Sequence, residues 1–147
     1  MNIPLRKLGE SNLQISALGL GCWQFSKQTG LVGKNWPSLT DKDTIEIVKA
    51  SIDGGINWFD TAEIYGQGKS EKSLSNALKK NGRQPDETII ATKWWPLGRW
   101  ASSIKRTIDN RLDKLAGYPI ALHQIHSPHG FSSVEKEMNT MADLIEE

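Results

Sequence analysis

One cysteine, Cys22, is all that 147 residues contain, so no internal disulfide can form and the chain reads as one kept in a reducing, cytoplasmic setting. Long hydrophobic runs are missing as well. No stretch approaches the length of about 20 apolar residues that spans a bilayer, and Met1-Asn2-Ile3-Pro4 does not open a signal-peptide core. Excess charge of either sign is absent: 18 Lys and Arg against 17 Asp and Glu leave a formal net charge of +1. That balance argues against nucleic acid or a membrane surface as partner. Low complexity and residue-level repeats are absent too. The length suffices for one domain, read over residues 1–147, with a core of its own.

The chain is organised around Gly55-Ile56-Asn57-Trp58-Phe59-Asp60-Thr61-Ala62-Glu63-Ile64-Tyr65-Gly66-Gln67-Gly68-Lys69-Ser70. Ile56, Trp58 and Phe59, between the breaker Gly54-Gly55 and the turn-prone Gly66-Gln67-Gly68, predict a strand, then a loop, then a helix. Asp60 falls at the carboxyl end of that strand, where a carboxylate needs a partner. From this stretch alone two readings stand, a cap on turn amides and a functional acid.

Before it, Pro4 to Ile15 alternate around Gly9-Glu10-Ser11-Asn12, predicting a small hairpin that plugs one end of the fold. Ala17-Leu18-Gly19-Leu20-Gly21 predicts a short buried strand, and Gln24 to Leu39 a long loop of the functional kind. Helices are predicted from Asp41 and Asp43, with Ile45, Val48 and Ile52 inward; from a Ser70 cap, with Leu74, Ala77 and Leu78 inward; and from Ser102-Ser103, with Ile104, Ile108, Leu112 and Leu115. A Ser132–Glu135 capping box launches the last helix, with Val134, Met138, Met141 and Ile145 as its inner stripe and no stop signal. Strands run over Thr88–Thr92, ending on Lys93, and Ile120–Ile125, ending on His126. Strand and helix alternating four times imply a parallel sheet, either doubly wound or part of a (β/α)8 barrel. Acid, amine and imidazole at successive strand ends favour the barrel, whose chemistry lies at that face.

Side-chain alternation strengthens this. Trp58 and Asp60 share a face, as do Ile89, Ala91 and Lys93, and Leu122, Gln124 and His126. Turned inward together, these converge on one mouth with Tyr65 above it. A phenol acting as an acid near neutral pH needs a neighbouring positive charge. Lys93 is expected to supply it, Asp60 to hold Lys93, and His126 to hydrogen-bond the polarised oxygen that takes the proton.

Gly55 to Ser70, Ala91-Thr92-Lys93 and Gln124-Ile125-His126-Ser127-Pro128, with the Leu18–Gly21 strand and the hairpin, resemble the aldo-keto reductases over essentially the whole chain. The resemblance implies a TIM-barrel oxidoreductase that passes hydride from NADP(H), or NAD(H), to a small aldehyde or ketone. It implies a catalytic tetrad of Asp60, Tyr65, Lys93 and His126, with Tyr65 as general acid. By the same resemblance Gly21, Cys22, Trp23 and Asp60 would line the cofactor, and Trp94 with Trp95 would flank the substrate. Only the N-terminal half of the fold is matched, about the first four β/α units. Residues 1–147 therefore read as a truncated domain, for which self-association or a complementing C-terminal half is expected.

Other patterns carry less. Gly66–Ser70 lacks the first glycine of a P-loop, since Glu63 stands there, and Gly19-Leu20-Gly21 lacks the third glycine of a dinucleotide fingerprint, since Gln24 stands there. His123 points opposite His126 and His129 lies beyond Pro128, so no metal site is expected. Trp36 and Trp100 read as loop covers or substrate walls. A regulatory module and an inactive fragment of the same fold stand beside the reductase; the complete tetrad argues against the regulatory module, and the inactive fragment stays open.

Overall fold

The computed structural model describes residues 4–27 and 37–147. Gly30, Gly33 and Trp36 of the expected long loop lie outside the described residues.

An antiparallel hairpin, β1 (Leu5–Lys7) with β2 (Gln14–Ser16), precedes four parallel strands, β3 (Leu20–Gly21), β4 (Trp58–Asp60), β5 (Ile89–Trp94) and β6 (Leu122–Ile125). These pair in sequence order, with Gly21, Asp60, Ala91 and Leu122 level across the sheet. Between and after them run α1 (Asp41–Asp53), α2 (Lys69–Lys80), α3 (Ser102–Leu115) and α4 (Val134–Glu146). This is the expected barrel-type order, of which four β/α units are present.

The two faces of the sheet differ. Phe59 and Ile90 point outward and are fully buried against Val48 of α1, Leu74, Ala77 and Leu78 of α2, and Leu115 of α3. That layer forms the main core, and it follows from the helical spacing of those residues. The inner face carries Trp58, Asp60 and Lys93, and it is only partly covered. At its lower end Asn57 fastens the hairpin: Ser16 N–H donates to Asn57 Oδ1 at 2.8 Å, and Asn57 Nδ2 donates to the Gln14 carbonyl at 2.8 Å. Trp58 Nε1 adds a bond to the Ser16 carbonyl at 3.0 Å. The hairpin thus closes the amino end of β4, opposite the mouth.

Several local expectations change. Leu112, expected on the inner stripe of α3, stands 44% exposed. The first strand shortens to two residues, leaving Leu18 exposed. Ser70 does not cap α2. The cap position is Gly68 at φ 86°, while Ser70 lies inside the helix, donates to the Cys22 carbonyl and accepts from Thr61 Oγ1 at 2.9 Å. That inward hydroxyl chain ties the first turn of α2 to the residue after β3. In α4, Glu137, Thr140 and Met141 face inward, whereas Val134, Met138 and Ile145 stand 57%, 53% and 88% exposed. Met141 and Leu144 pack on Trp94, Ile104 and Ile125, and Lys105 of α3 pairs with Asp143 at 3.1 Å. With α3 as its neighbouring helix, α4 buries a narrow face, and the rest of its apolar stripe projects past the β6 edge. Its start also differs, with Ser133 as cap accepting from Lys136 N–H at 3.2 Å. Conversely, α1 begins with a reciprocal Thr40–Asp43 capping box. Among the described residues no helix is long and apolar enough to cross a membrane.

Gly19 is fixed by packing rather than by backbone angle. A Cβ there would fall 2.2 Å from Cε2 of Trp58, whose indole is held by its Ser16 bond. Gly19→Ala should therefore destabilise the fold by about 1–3 kcal/mol through overpacking. Urea unfolding checks this, and an unchanged midpoint would show that the indole yields freely.

Candidate active site

The mouth is assembled by parallel pairing. Asp60 closes β4, Lys93 lies one residue from the end of β5, and His126 follows β6, its N–H donating to the Trp94 carbonyl at 3.1 Å. Lys93 Nζ donates to Asp60 Oδ1 and Oδ2 at 2.8 and 2.7 Å and to the Thr61 carbonyl at 2.9 Å. An ammonium has three protons, so these bonds saturate it. Lys93 consequently meets Tyr65 through the ring face, 5.3 Å from its centroid, with no proton left for the phenolic oxygen.

Tyr65 reaches the mouth on the turn between β4 and α2, where its N–H donates to the Ala62 carbonyl at 3.1 Å and its own carbonyl accepts from Ser70 N–H at 3.2 Å. Four rings cross the opening. Trp23 stacks on Tyr65 at 5.9 Å, Tyr65 meets His126 edge-on at 5.7 Å, and His126 meets Trp95 edge-on at 5.1 Å. Burial raises the pKa of Tyr65, with Asp60 and then Cys22 adding to it. Burial lowers that of His126, helped by Lys93 and opposed by Asp60. At neutral pH the site therefore offers a protonated phenol and a neutral imidazole.

The four tetrad residues and Trp95 are brought together; Trp94 is not. Its side chain points outward, 1% exposed, with Nε1 donating to Ser103 Oγ at 3.1 Å and the Arg99 guanidinium over its ring. A substrate wall at Trp94 is excluded, because alternation along β5 turns Lys93 and Trp95 inward and Trp94 away. Of the expected cofactor residues, Gly21 is exposed, with no atom within 4 Å of where a Cβ would sit, and Trp23 stands at the mouth. Cys22 is fully buried in the core, its thiol directed at the Leu20 carbonyl and its pKa pushed up by burial and Asp60. It supports its neighbours from behind. Trp100 is 61% exposed, with its ring 5.5 Å from that of Phe131.

Behind the mouth lies an ionic layer that sequence reading missed. Glu63 pairs with Arg99 at 2.9 Å and approaches Arg111 at 3.8 Å; Arg111 reaches Glu71 at 3.4 Å, and Glu71 accepts from Thr92 Oγ1 at 2.7 Å. The sequence signal was charge complementarity between distant segments, two loops carrying Glu63 and Arg99 and two helices carrying Glu71 and Arg111, which has no period. His123 faces this layer, on the side of the sheet away from His126, and burial lowers its pKa to about 4, with Arg111 lowering and Glu63 raising it. Among the described residues no group of three His, Cys, Asp or Glu gathers to hold a metal.

Comparisons with known proteins point to one family. A family model described as "Aldo/keto reductase family" matches residues 17–147. The aldo-keto reductase YhdN of Bacillus subtilis is 32% identical over 145 residues, covering 93% of this chain and 42% of the relative. The solved aldo-keto reductase AKR11C1 from Bacillus halodurans, in its holo form, superposes with a TM-score of 0.79 at 26% identity, over 99% of this chain and 47% of that one. An aldo-keto reductase from Klebsiella pneumoniae, solved in complex with NADPH, shares the fold at a TM-score of 0.77 and 21% identity, over 99% and 46%. The chain thus spans rather less than half the length of these relatives.

The buried His123 makes an acid-stability prediction. Unfolded, an imidazole titrates near 6.5; folded, His123 does so at about 4. Between those values the unfolded chain binds more protons, so stability falls as pH drops from about 6.5 to 4. Glu71, whose pKa burial raises, acts in the opposite sense, so the difference between wild type and His123→Leu isolates the histidine. Denaturant unfolding at pH 7 and pH 4.5 should show the variant losing less stability than wild type.

Proposed function

The chain belongs to the aldo/keto reductase family, and from that premise we propose that its mouth serves the NAD(P)H-dependent reduction of a small aldehyde or ketone to an alcohol. The observation that carries this reading is the saturated Lys93–Asp60 pair beneath a protonated Tyr65 ring, itself edge-on to a neutral His126.

NADPH, the expected cofactor, with NADH the alternative, supplies when bound a hydride for the carbonyl carbon. Tyr65 donates its phenolic proton to the carbonyl oxygen as the C=O bond becomes a C–O single bond, so hydride and proton together give the alcohol. The Lys93 charge, 5.3 Å from the ring centre, favours the phenolate left behind, and the Asp60 carboxylate keeps that ammonium in place. His126 offers an N–H to the same oxygen. Trp95 walls the substrate side. Gly21, Trp23 and Asp60 are the residues that would hold the reacting end of the cofactor: the end of β3 is open at Gly21 and Trp23 adds a half-buried ring beside Tyr65.

Full activity, on this reading, needs further β/α units over the free β6 edge and the exposed Val134–Met138–Ile145 stripe. A complementing C-terminal half fits better than self-association. The hairpin already closes the amino end of the sheet, and a second copy would bring a second hairpin to the same place.

Titration of the folded chain with NADPH, followed by tryptophan fluorescence with sizing chromatography on the same sample, tests the assignment. Saturable quenching is expected, and Asp60→Asn should abolish it. A soluble, folded chain with no quenching would remove the cofactor site from this half of the barrel.

A further inference from the structure

Glu63 and Arg99 take no part in the proton transfer, yet they join the two loops that carry it. Glu63 lies between Asp60 and Tyr65, and its N–H donates to the Lys93 carbonyl at 3.0 Å. Its carboxylate Oε2 accepts from the Trp95 N–H at 3.0 Å, and both oxygens accept from Arg99 Nη1 at 2.9 Å. Arg99 is fixed in turn: Nε donates to Ser103 Oγ at 3.1 Å, Nη2 to Thr107 Oγ1 at 3.2 Å, and its carbonyl accepts from the Phe131 N–H at 2.9 Å. The Phe131 bond brings in the loop that follows His126. Side-chain exposure is 17% for Glu63 and 24% for Arg99, so the pair is largely shielded, where charge-assisted bonds specify geometry strongly.

One carboxylate therefore holds the Tyr65 loop, the Trp95 turn and, through Arg99, the loop after β6. Trp95 abuts the His126 ring at 5.1 Å, and His126 abuts Tyr65 at 5.7 Å. We propose that Glu63 and Arg99 are positioning residues whose ion pair sets the spacing between the Tyr65 phenol and the His126 imidazole that receives a carbonyl oxygen. This rests on the reductase reading of the mouth.

Two histidines report on it from opposite sides of the sheet. The charges acting on His126 are Lys93 and Asp60, whereas those acting on His123 are Glu63 and Arg111. Glu63 itself faces Arg99, Arg111, His123 and, through Arg111, Glu71. In Glu63→Gln, loosening of Trp95 should admit water to the imidazole and raise the His126 pKa toward its ordinary value near 6.5. Loss of the Glu63 charge should leave His123 at or below about 4, because that charge raises it. Imidazole NMR titration of the intact chain reads both, with the ring-current shift that Trp95 imposes on His126 shrinking in parallel. An unmoved His126 overturns the proposal. So does a joint rise of both histidines, which would mean general loosening.

Arg99→Lys is the second variant. It keeps the charge and loses the fork, so it should move His126 the same way by less; should Glu63→Gln fail to fold, a His126 unmoved in Arg99→Lys overturns the proposal by itself. NADPH quenching of the wild type separates the two ideas. A responsive His126 without NADPH binding defeats the reductase reading, and NADPH binding with an unresponsive His126 defeats the positioning role alone.

Discussion

The Lys93–Asp60 pair is the constraint on which the rest of the mouth depends. It joins neighbouring strands on the inner face, β4 to β5, and with side-chain exposures of 15% and 31% it is partly withdrawn from water. Removing either partner would strand a half-buried charge, which costs far more than the pair contributes in net stability. Three bonds to Nζ leave the ammonium one position. Its place under the Tyr65 ring follows, and so does the electrostatic setting of His126, where the lysine and the aspartate act in opposite directions. The Thr61 carbonyl completes the set, so the β4–α2 loop is tied to β5 before any side chain of that loop is considered.

Much of this was legible in the sequence because it obeys a period. The two-residue repeat of the strands placed Asp60, Lys93 and His126 on one side and Phe59, Ile90 and Thr92 on the other, as observed. The same repeat, applied one residue further along β5, turns Trp94 outward; the family resemblance had set it beside the substrate, and parity was the better guide. Helix stripes on α1 and α2 also hold, since each packs on both a sheet and a neighbouring helix. For α4 the stripe fails. A helical period says which residues share a face, while the burial of that face depends on what lies beside it.

What was not legible lies in loops and in charge. Glu63 and Arg99 are 36 residues apart and belong to segments with no repeat, so only their opposite signs connected them. The sequence pointed to Lys93 as the positive charge beside Tyr65 but not to how the two would meet: Asp60 and Thr61 together take the three protons of the ammonium, so the contact is through the ring face. Ser70 was misassigned for a related reason: a serine before a helical run looks like a cap, yet here a buried carbonyl on Cys22 competes for its hydroxyl.

These features also explain how half of a barrel can carry an ordered site. The outer face of the sheet is sealed by α1, α2 and α3, and the ionic layer of Glu63, Glu71, Arg99 and Arg111 lies on that sealed side. The inner face is only half covered, and every residue of β6 stays partly exposed. Geometry at the mouth is therefore fixed from behind, by helices and ion pairs already present. Desolvation of the mouth is limited from in front, where the β6 edge is partly exposed. Since burial is the first cause of the shifts at both Tyr65 and His126, closing that edge would push the phenol further up and the imidazole further down. It would sharpen the protonation states that the half-covered face already favours.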